Sequence, residues 1–233
     1  MAAGDGRSKR LPRAVRERQM MDAAVVTFGR HGYRAASMDG IAELAGVSKP
    51  LVYLYLNSKE DLFIACIRRE ARALLGAVEA AVEPGWPADR QLWAGLTAFF
   101  GYTAEHPEGW AVLHRQARTN GEPFAAEAGK TRDELAAYVA GLLGEAARDT
   151  HGPDDFGERD IAGLAQALVG AAESLAAWAN ETPEVTAKEA ASTLMNFAWA
   201  GLGRLLNGER WSASQQPTAG GRGPGPQEGG VRT

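Results

Sequence analysis

Apolar side chains recur every three or four positions along most of this chain, the spacing of helices that bury one face. Met21, Ala24, Val25 and Phe28 fall at i, i+3, i+4 and i+7 and predict a first helix over residues 13–30, with Gly32 placed to end it in a left-handed cap. Ser37 predicts the N-cap of a second helix, with Met38, Ile41, Ala42 and Ala45 on its inner face and Asp39 near its positive end. Gly46 breaks that helix, Val47 turns inward, and Ser48 caps a short third helix ending near Leu56. Pro50 lies in its first turn, where N–H groups have no helical partner. Ser58-Lys59-Glu60-Asp61 approximates a capping box for a long fourth helix running to about Val82. Breakers at Pro84–Pro87, His106-Pro107, Gly121–Pro123, Gly152-Pro153 and Thr182-Pro183 divide the rest into helices over about 89–105, 107–119, 124–150, 158–181 and 184–207. No clear period-two strand interrupts the pattern. The expected fold is all-α, about nine helices, with a small three-helix unit over residues 13–60 and a larger helical domain over 61–207.

Composition adds the ends. Residues 1–12 are small and basic, and residues 208–233 hold seven Gly and three Pro in 26 positions, so both are expected to be disordered. Such a basic arm suits a minor groove as well as it suits a tail that touches nothing. The net charge of −4 argues against a nucleic-acid partner until it is divided: residues 1–80 hold 13 Lys/Arg against 9 Asp/Glu, and the remainder 12 against 20. A basic first third on an acidic remainder suggests separate partners for the two parts. The single cysteine, Cys66, sits on the apolar stripe of the fourth helix, as a small buried hydrophobe would. The N-terminus lacks the apolar core of a signal peptide, and no apolar run is read as a membrane span, so a soluble cytoplasmic chain is expected. HExxH, GxSxG, P-loop and CxxC signatures are missing, and four scattered histidines complete no ligand set, so neither an enzyme nor a cofactor is expected.

The chemistry concentrates between Ser37 and Leu62. Two short helices joined by a glycine turn can lay the second helix in the major groove of double-stranded DNA. Lys49 can donate to guanine or to a phosphate, and Leu51 can meet a thymine methyl. Pro50 carries no donor, while Tyr53 and Tyr55 pair an aromatic body with a hydroxyl suited to phosphate. Lys59 opens a helix whose dipole opposes its charge, which an external anion explains better than helix stability does. Ser37 and Ser48 cap helix ends whose N–H groups can also face phosphate.

Residues 23–63, AAVVTFGRHGYRAASMDGIAELAGVSKPLVYLYLNSKEDLF, resemble the DNA-binding domain of the TetR/AcrR family of bacterial transcriptional regulators. The likeness rests on Phe28 with Gly32-Tyr33, Ser37-Met38, Ile41-Ala42, Ala45–Ser48, Tyr53–Tyr55 and Lys59–Leu62. It implies a homodimeric, ligand-responsive repressor that binds a palindromic operator and is released by a small molecule. It also implies that Lys49, Pro50 and Leu51 meet bases while Tyr53, Tyr55 and Lys59 meet phosphates. Leu56 departs from the family's common Phe as a conservative core change, and Leu54 stands at a variable position that is often larger or polar; with Leu51 as well, base-specific hydrogen bonding is expected to be sparse.

In the larger domain the apolar faces of the last two helices carry Leu168, Ala172 and Leu175, and Leu194, Ala198 and Leu202. The resemblance implies that these helices build a dimer interface; packing within one subunit is the alternative. Aromatic and polar side chains at Phe99, Tyr102, Trp110, His114, Tyr138 and Trp178 are candidates to line a pocket for an apolar or aromatic effector, or to form core. A helical enzyme and an adaptor that has lost DNA binding are the competing functions.

Overall fold

The computed structural model describes the backbone of residues 12–55, 58–151 and 157–206, and the side chains of 12–54, 58–148 and 157–201. The basic arm before Pro12, the tail 208–233, Leu56, and the side chains of Tyr55 and Leu202 lie outside the described residues.

The helices are α1 (Arg13–Ala35), α2 (Met38–Leu44), α3 (Lys49–Tyr55), α4 (Lys59–Ala81), α5 (Ala88–Glu105), α6 (Pro107–Trp110), α7 (Ala117–Thr119), α8 (Phe124–His151), α9 (Glu158–Glu181) and α10 (Ala187–Leu206). A π-helical segment, Ala111–Gln116, joins α6 to α7 without a break, so that 107–119 is one bent helix. On that count the described residues form nine helices and no strand.

Local signals account for the boundaries near the N-terminus. Gly32 adopts φ 82° and ψ 161°, so the chain leaves α1 there through an extended positive-φ conformation rather than the left-handed helical cap expected. Ser37 Oγ accepts from the Gly40 amide at 3.0 Å, capping α2. Gly46 at φ 66° makes the turn into α3, and the Ser48 carbonyl accepts from Leu51 and Val52. Ser58 Oγ accepts from the Asp61 amide at 3.0 Å, capping α4, and donates to the Asp61 carboxylate at 2.9 Å, so the reciprocal side-chain-to-backbone bond of a capping box is replaced by one between the side chains.

Helix α4 joins the two parts. Its buried stripe begins with Leu62, Phe63, Cys66 and Ile67 and continues through Ala71, Leu74 and Val78. The first of these pack under α1, and the last face α5 and α8. Phe63 touches the rings of Phe28, Tyr33 and Phe124 at 4.8, 4.9 and 4.8 Å, tying α1, α4 and the start of α8 into one aromatic cluster. Cys66 is fully buried, which pushes its thiol pKa far up and leaves it an inert hydrophobe.

A second joint lies between α1 and α6. A Cβ on Gly29 would stand 2.6 Å from the Glu108 carbonyl, so only glycine allows this approach. Arg30 bridges to Glu108 at 2.7 Å beside it. Buried Glu70 of α4 accepts from the Tyr102 hydroxyl of α5 at 3.1 Å and lies 3.5 Å from Arg69, which also pairs with Asp22 of α1.

Helix α9 departs from the expectation about membranes, being long and apolar enough by composition to span a bilayer. Its buried face, Ala165, Val169, Ala172 and Ala176, packs within the fold, while much of the rest is exposed and rich in small apolar residues. The hydropathy is therefore that of a helix with apolar residues on its inner and outer faces.

Candidate nucleic-acid interface and internal cavities

The α2–α3 tip presents an outer face anchored from behind. Val52 is fully buried and holds α3 to the core, Leu51 is half-buried, and Tyr53 and Leu54 stand 41% and 76% exposed. Lys49 and Pro50 are exposed at the start of the same helix, within a few residues of Ser37 and Ser48.

Both expected cations already have partners. Lys49 Nζ lies 2.8 Å from Asp39 Oδ1, and this contact raises its pKa. Lys59 Nζ donates to the Arg34 carbonyl at 3.2 Å and sits 4.7 Å from the centre of the Tyr33 ring. Burial lowers the Lys59 pKa. The lysine thus meets the Arg34 carbonyl in the short turn that follows the Gly32 kink, a contact that stands beside the external anion expected for it. Spacing along α4 could not reveal this, because the partner lies 25 residues earlier.

Three cavities follow one another through the larger domain. The first is an apolar chamber of about 100 Å³ among α4, α5, α8, α9 and α10. Val78 and Val82 come from the end of α4, Leu96 and Phe99 from α5, Leu142 and Ala146 from α8, Leu168 and Ala172 from α9, and Trp199 from α10. Among its lining residues, Gln91, Tyr138 and the indole N–H of Trp199 bring the polar side-chain groups. Gln91 is 7% exposed, and its amide has no hydrogen-bond partner among the described residues. The second cavity, about 330 Å³, lies beyond Phe99 and Leu135 and reaches Trp110, His114, Arg118, Arg132 and Glu173. The third, about 640 Å³, shares Trp110, His114 and Arg118 with the second and opens between α1, α6 and α9.

The expected pocket residues separate on this map. Phe99 and Tyr138 line the apolar chamber; Tyr102, Trp110, His114 and Trp178 do not. Tyr102 is committed to Glu70. Trp110 and His114 stack at 4.9 Å and belong to the outer two cavities, where burial lowers the His114 pKa and favours the neutral ring. Trp178 is 52% exposed on the outside of α9. Helical spacing placed these rings on apolar stripes, but the π-helical segment changes which way the stripe of residues 111–116 faces.

The expected dimer residues also divide. Ala172 and Leu194 are 6% and 3% exposed inside the single chain, and Leu168 and Ala172 line the chamber, so they offer an interface little surface. Leu175 and Ala198 are half-buried, and the Leu202 side chain lies outside the described residues. The outward faces of α9 and α10 instead carry Trp178 and Phe197, the latter 75% exposed, among exposed Gly163, Ala167, Ala200 and Gly201.

Comparison with known proteins matches this architecture. A family model described as bacterial regulatory proteins, tetR family, matches residues 20–66, and one described as the tetracyclin repressor-like C-terminal domain matches residues 88–201. The chain is 31% identical over 205 residues to the HTH-type transcriptional activator FasR of Mycolicibacterium smegmatis, covering 88% of this chain and 90% of FasR. The crystal structure of a TetR-like transcriptional regulator from Rhodococcus sp. RHA1 aligns with a TM-score of 0.71 at 40% identity, covering 83% of this chain and 99% of that one. FadR of Bacillus subtilis, crystallised with stearoyl-CoA, shares the fold at a TM-score of 0.70 and 18% identity, over 79% of this chain and 98% of FadR.

Proposed function

This chain belongs to the TetR family of bacterial transcriptional regulators, and on that premise we propose that it is a homodimeric repressor released from a palindromic operator by a small apolar effector. As a member of the family it is a ligand-responsive DNA-binding regulator and not an enzyme. In the proposed complex α3 enters the major groove with Lys49, Pro50 and Leu51 toward the bases. Tyr53, Tyr55 and the caps at Ser37 and Ser48 grip phosphate. Lys59 keeps its carbonyl and adds a second, longer-range attraction. Two copies related by a two-fold axis through the outer faces of α9 and α10 would present their α3 helices to successive major grooves, roughly 34–36 Å apart.

The observation that carries this reading is the continuity of α4. Phe63 lies in the core of the DNA-binding unit, and Val78, on the same rigid helix, walls the apolar chamber. Fifteen residues separate them, about 22 Å along an α-helix. An effector that binds the chamber better in one tilt of α4 than in another shifts the spacing of the two α3 helices. The enclosed apolar wall favours an apolar ligand group, with Gln91 and Tyr138 able to meet one polar atom.

Repression is the simpler consequence of operator occupancy, since a bound dimer excludes polymerase without further contacts. The activator name of FasR makes the sign worth measuring. Fluorescence anisotropy with the chain's own upstream region against random duplex, over a range of salt, tests operator binding; equal affinity for both rejects it. A promoter fusion in cells with and without the gene tests the sign: higher output without the gene is expected, and lower output would make the protein an activator.

A further inference from the structure

The apolar chamber is small for a whole effector. Its volume of about 100 Å³ falls below the ~300–1,000 Å³ of ordinary small-molecule sites. The adjoining cavity of about 330 Å³ is within that range, and Phe99 and Leu135 line both. These two side chains are therefore the wall that a ligand spanning both cavities would have to displace.

The second cavity has different chemistry. Arg132 lies 3.1 Å from the Glu173 carboxylate and also meets Gln166, while Arg118 lies 3.7 Å from the same Glu173 oxygen. Two guanidinium groups facing one carboxylate leave one positive charge over. At 3.7 Å Arg118 makes an ion pair but no hydrogen bond, so its fork of N–H donors remains open to a ligand. His114 beside it is held toward its neutral form and stacked on Trp110, so the excess charge belongs to the arginines.

We propose that the effector is an amphipathic anion, its apolar part in the chamber beyond Phe99 and Leu135 and its carboxylate or phosphate head held by Arg118 and Arg132. The proposal rests on the chamber being the effector site. Its head group sits against Ala125 and Gly129 in the first turns of α8 and opens toward Arg30 of α1 through the outermost cavity. The bound anion would therefore lie against α8 and Leu74 of α4, one cavity away from Arg30 of α1.

Calorimetric titration of the full chain with octanoate, octyl phosphate and octanol tests the assignment, in the wild type, in Arg118→Gln and in Gly95→Leu. Arg118 is largely exposed and Gly95 lines the chamber within a helix, so both variants are expected to fold. The anions should bind the wild type about tenfold or more tightly than octanol, and Arg118→Gln should erase that preference while leaving octanol unchanged. The better of the two anions identifies the head as carboxylate or phosphate. Equal affinity of all three ligands, with all three lost in Gly95→Leu, overturns the anion site and leaves the chamber reading intact. Octanol binding untouched by Gly95→Leu overturns the chamber reading, and the head-group site falls with it. No binding of any of the three at millimolar concentration overturns both.

Discussion

The tip proposed to face DNA and the chamber proposed to hold the effector pose opposite problems. The tip must show side chains to a partner, so Leu54 and Tyr53 stand bare and Lys49 rests on an exposed aspartate. Among the described side chains of α3, Val52 alone is fully buried to hold it in place. The chamber must hide an apolar space, so five helices converge on it and its polar groups are few. A substitution in the tip should therefore change binding with little change in stability, while one beneath it or around the chamber should change stability first.

The sharpest break of that contrast is at the joint between the two. Phe63→Ala removes a fully buried ring from three ring contacts and should cost about 3–5 kcal/mol in urea unfolding. Leu54→Ala should stay within about 0.5 kcal/mol of wild type. It should weaken operator binding, and a large stability loss at Leu54 would refute its exposed role.

Two further substitutions test the joints at intermediate size. Tyr102→Phe leaves the buried Glu70 carboxylate without its hydroxyl donor and should cost about 1–3 kcal/mol. Ligand titration should be unaffected, because Tyr102 is not on the chamber wall. Gly29→Ala forces α1 away from the Glu108 backbone, with a similar cost of about 1–3 kcal/mol. It should alter how strongly effector changes DNA affinity, measured by anisotropy with and without ligand.

Acid titration probes the α4–α8 contact. Arg68 and Lys130 hold the Glu127 carboxyl down at about 2, from its usual 4.5. A depressed folded value means the stabilisation is present above about 4.5 and is lost as pH falls toward 2. Wild type should exceed Glu127→Gln in stability at pH 7, by about 1 kcal/mol or less given the exposed Arg68. The two should converge near pH 2; a gap that persists there would assign the effect to packing.

The smallest stability change belongs to the tip again. Asp39→Asn frees Lys49 and removes a negative charge from the DNA-facing surface. Stability should barely move, while the slope of log affinity against log salt should steepen by about one unit if Lys49 then gains a phosphate contact. An unchanged slope would leave Lys49 without a role at phosphate.

The helix ends around the tip were legible because their causes are local. Ser37 and Ser58 cap their helices through residues three positions on, and Gly46 makes its turn through its own φ. Helical periodicity likewise separated α5, α8 and α9 at boundaries close to those expected. The family resemblance added the expected α3 contacts, which no spacing rule supplies. Lys59 shows where local reading stops, since its partner carbonyl and the ring beneath it come from another helix.

Sequence by itself determined the all-α architecture and the helix order, because capping, glycine turns and apolar stripes act within a few residues. Tertiary structure alone decided which stripe residues face a cavity, a neighbouring helix or solvent. Ala172 and Trp178 lie on one helix, six residues apart, yet one walls the chamber and the other stands at the surface. That division depends on how α4, α5, α8, α9 and α10 cross. Crossing is set by contacts between positions tens of residues apart, such as Arg132 with Glu173 and Tyr102 with Glu70.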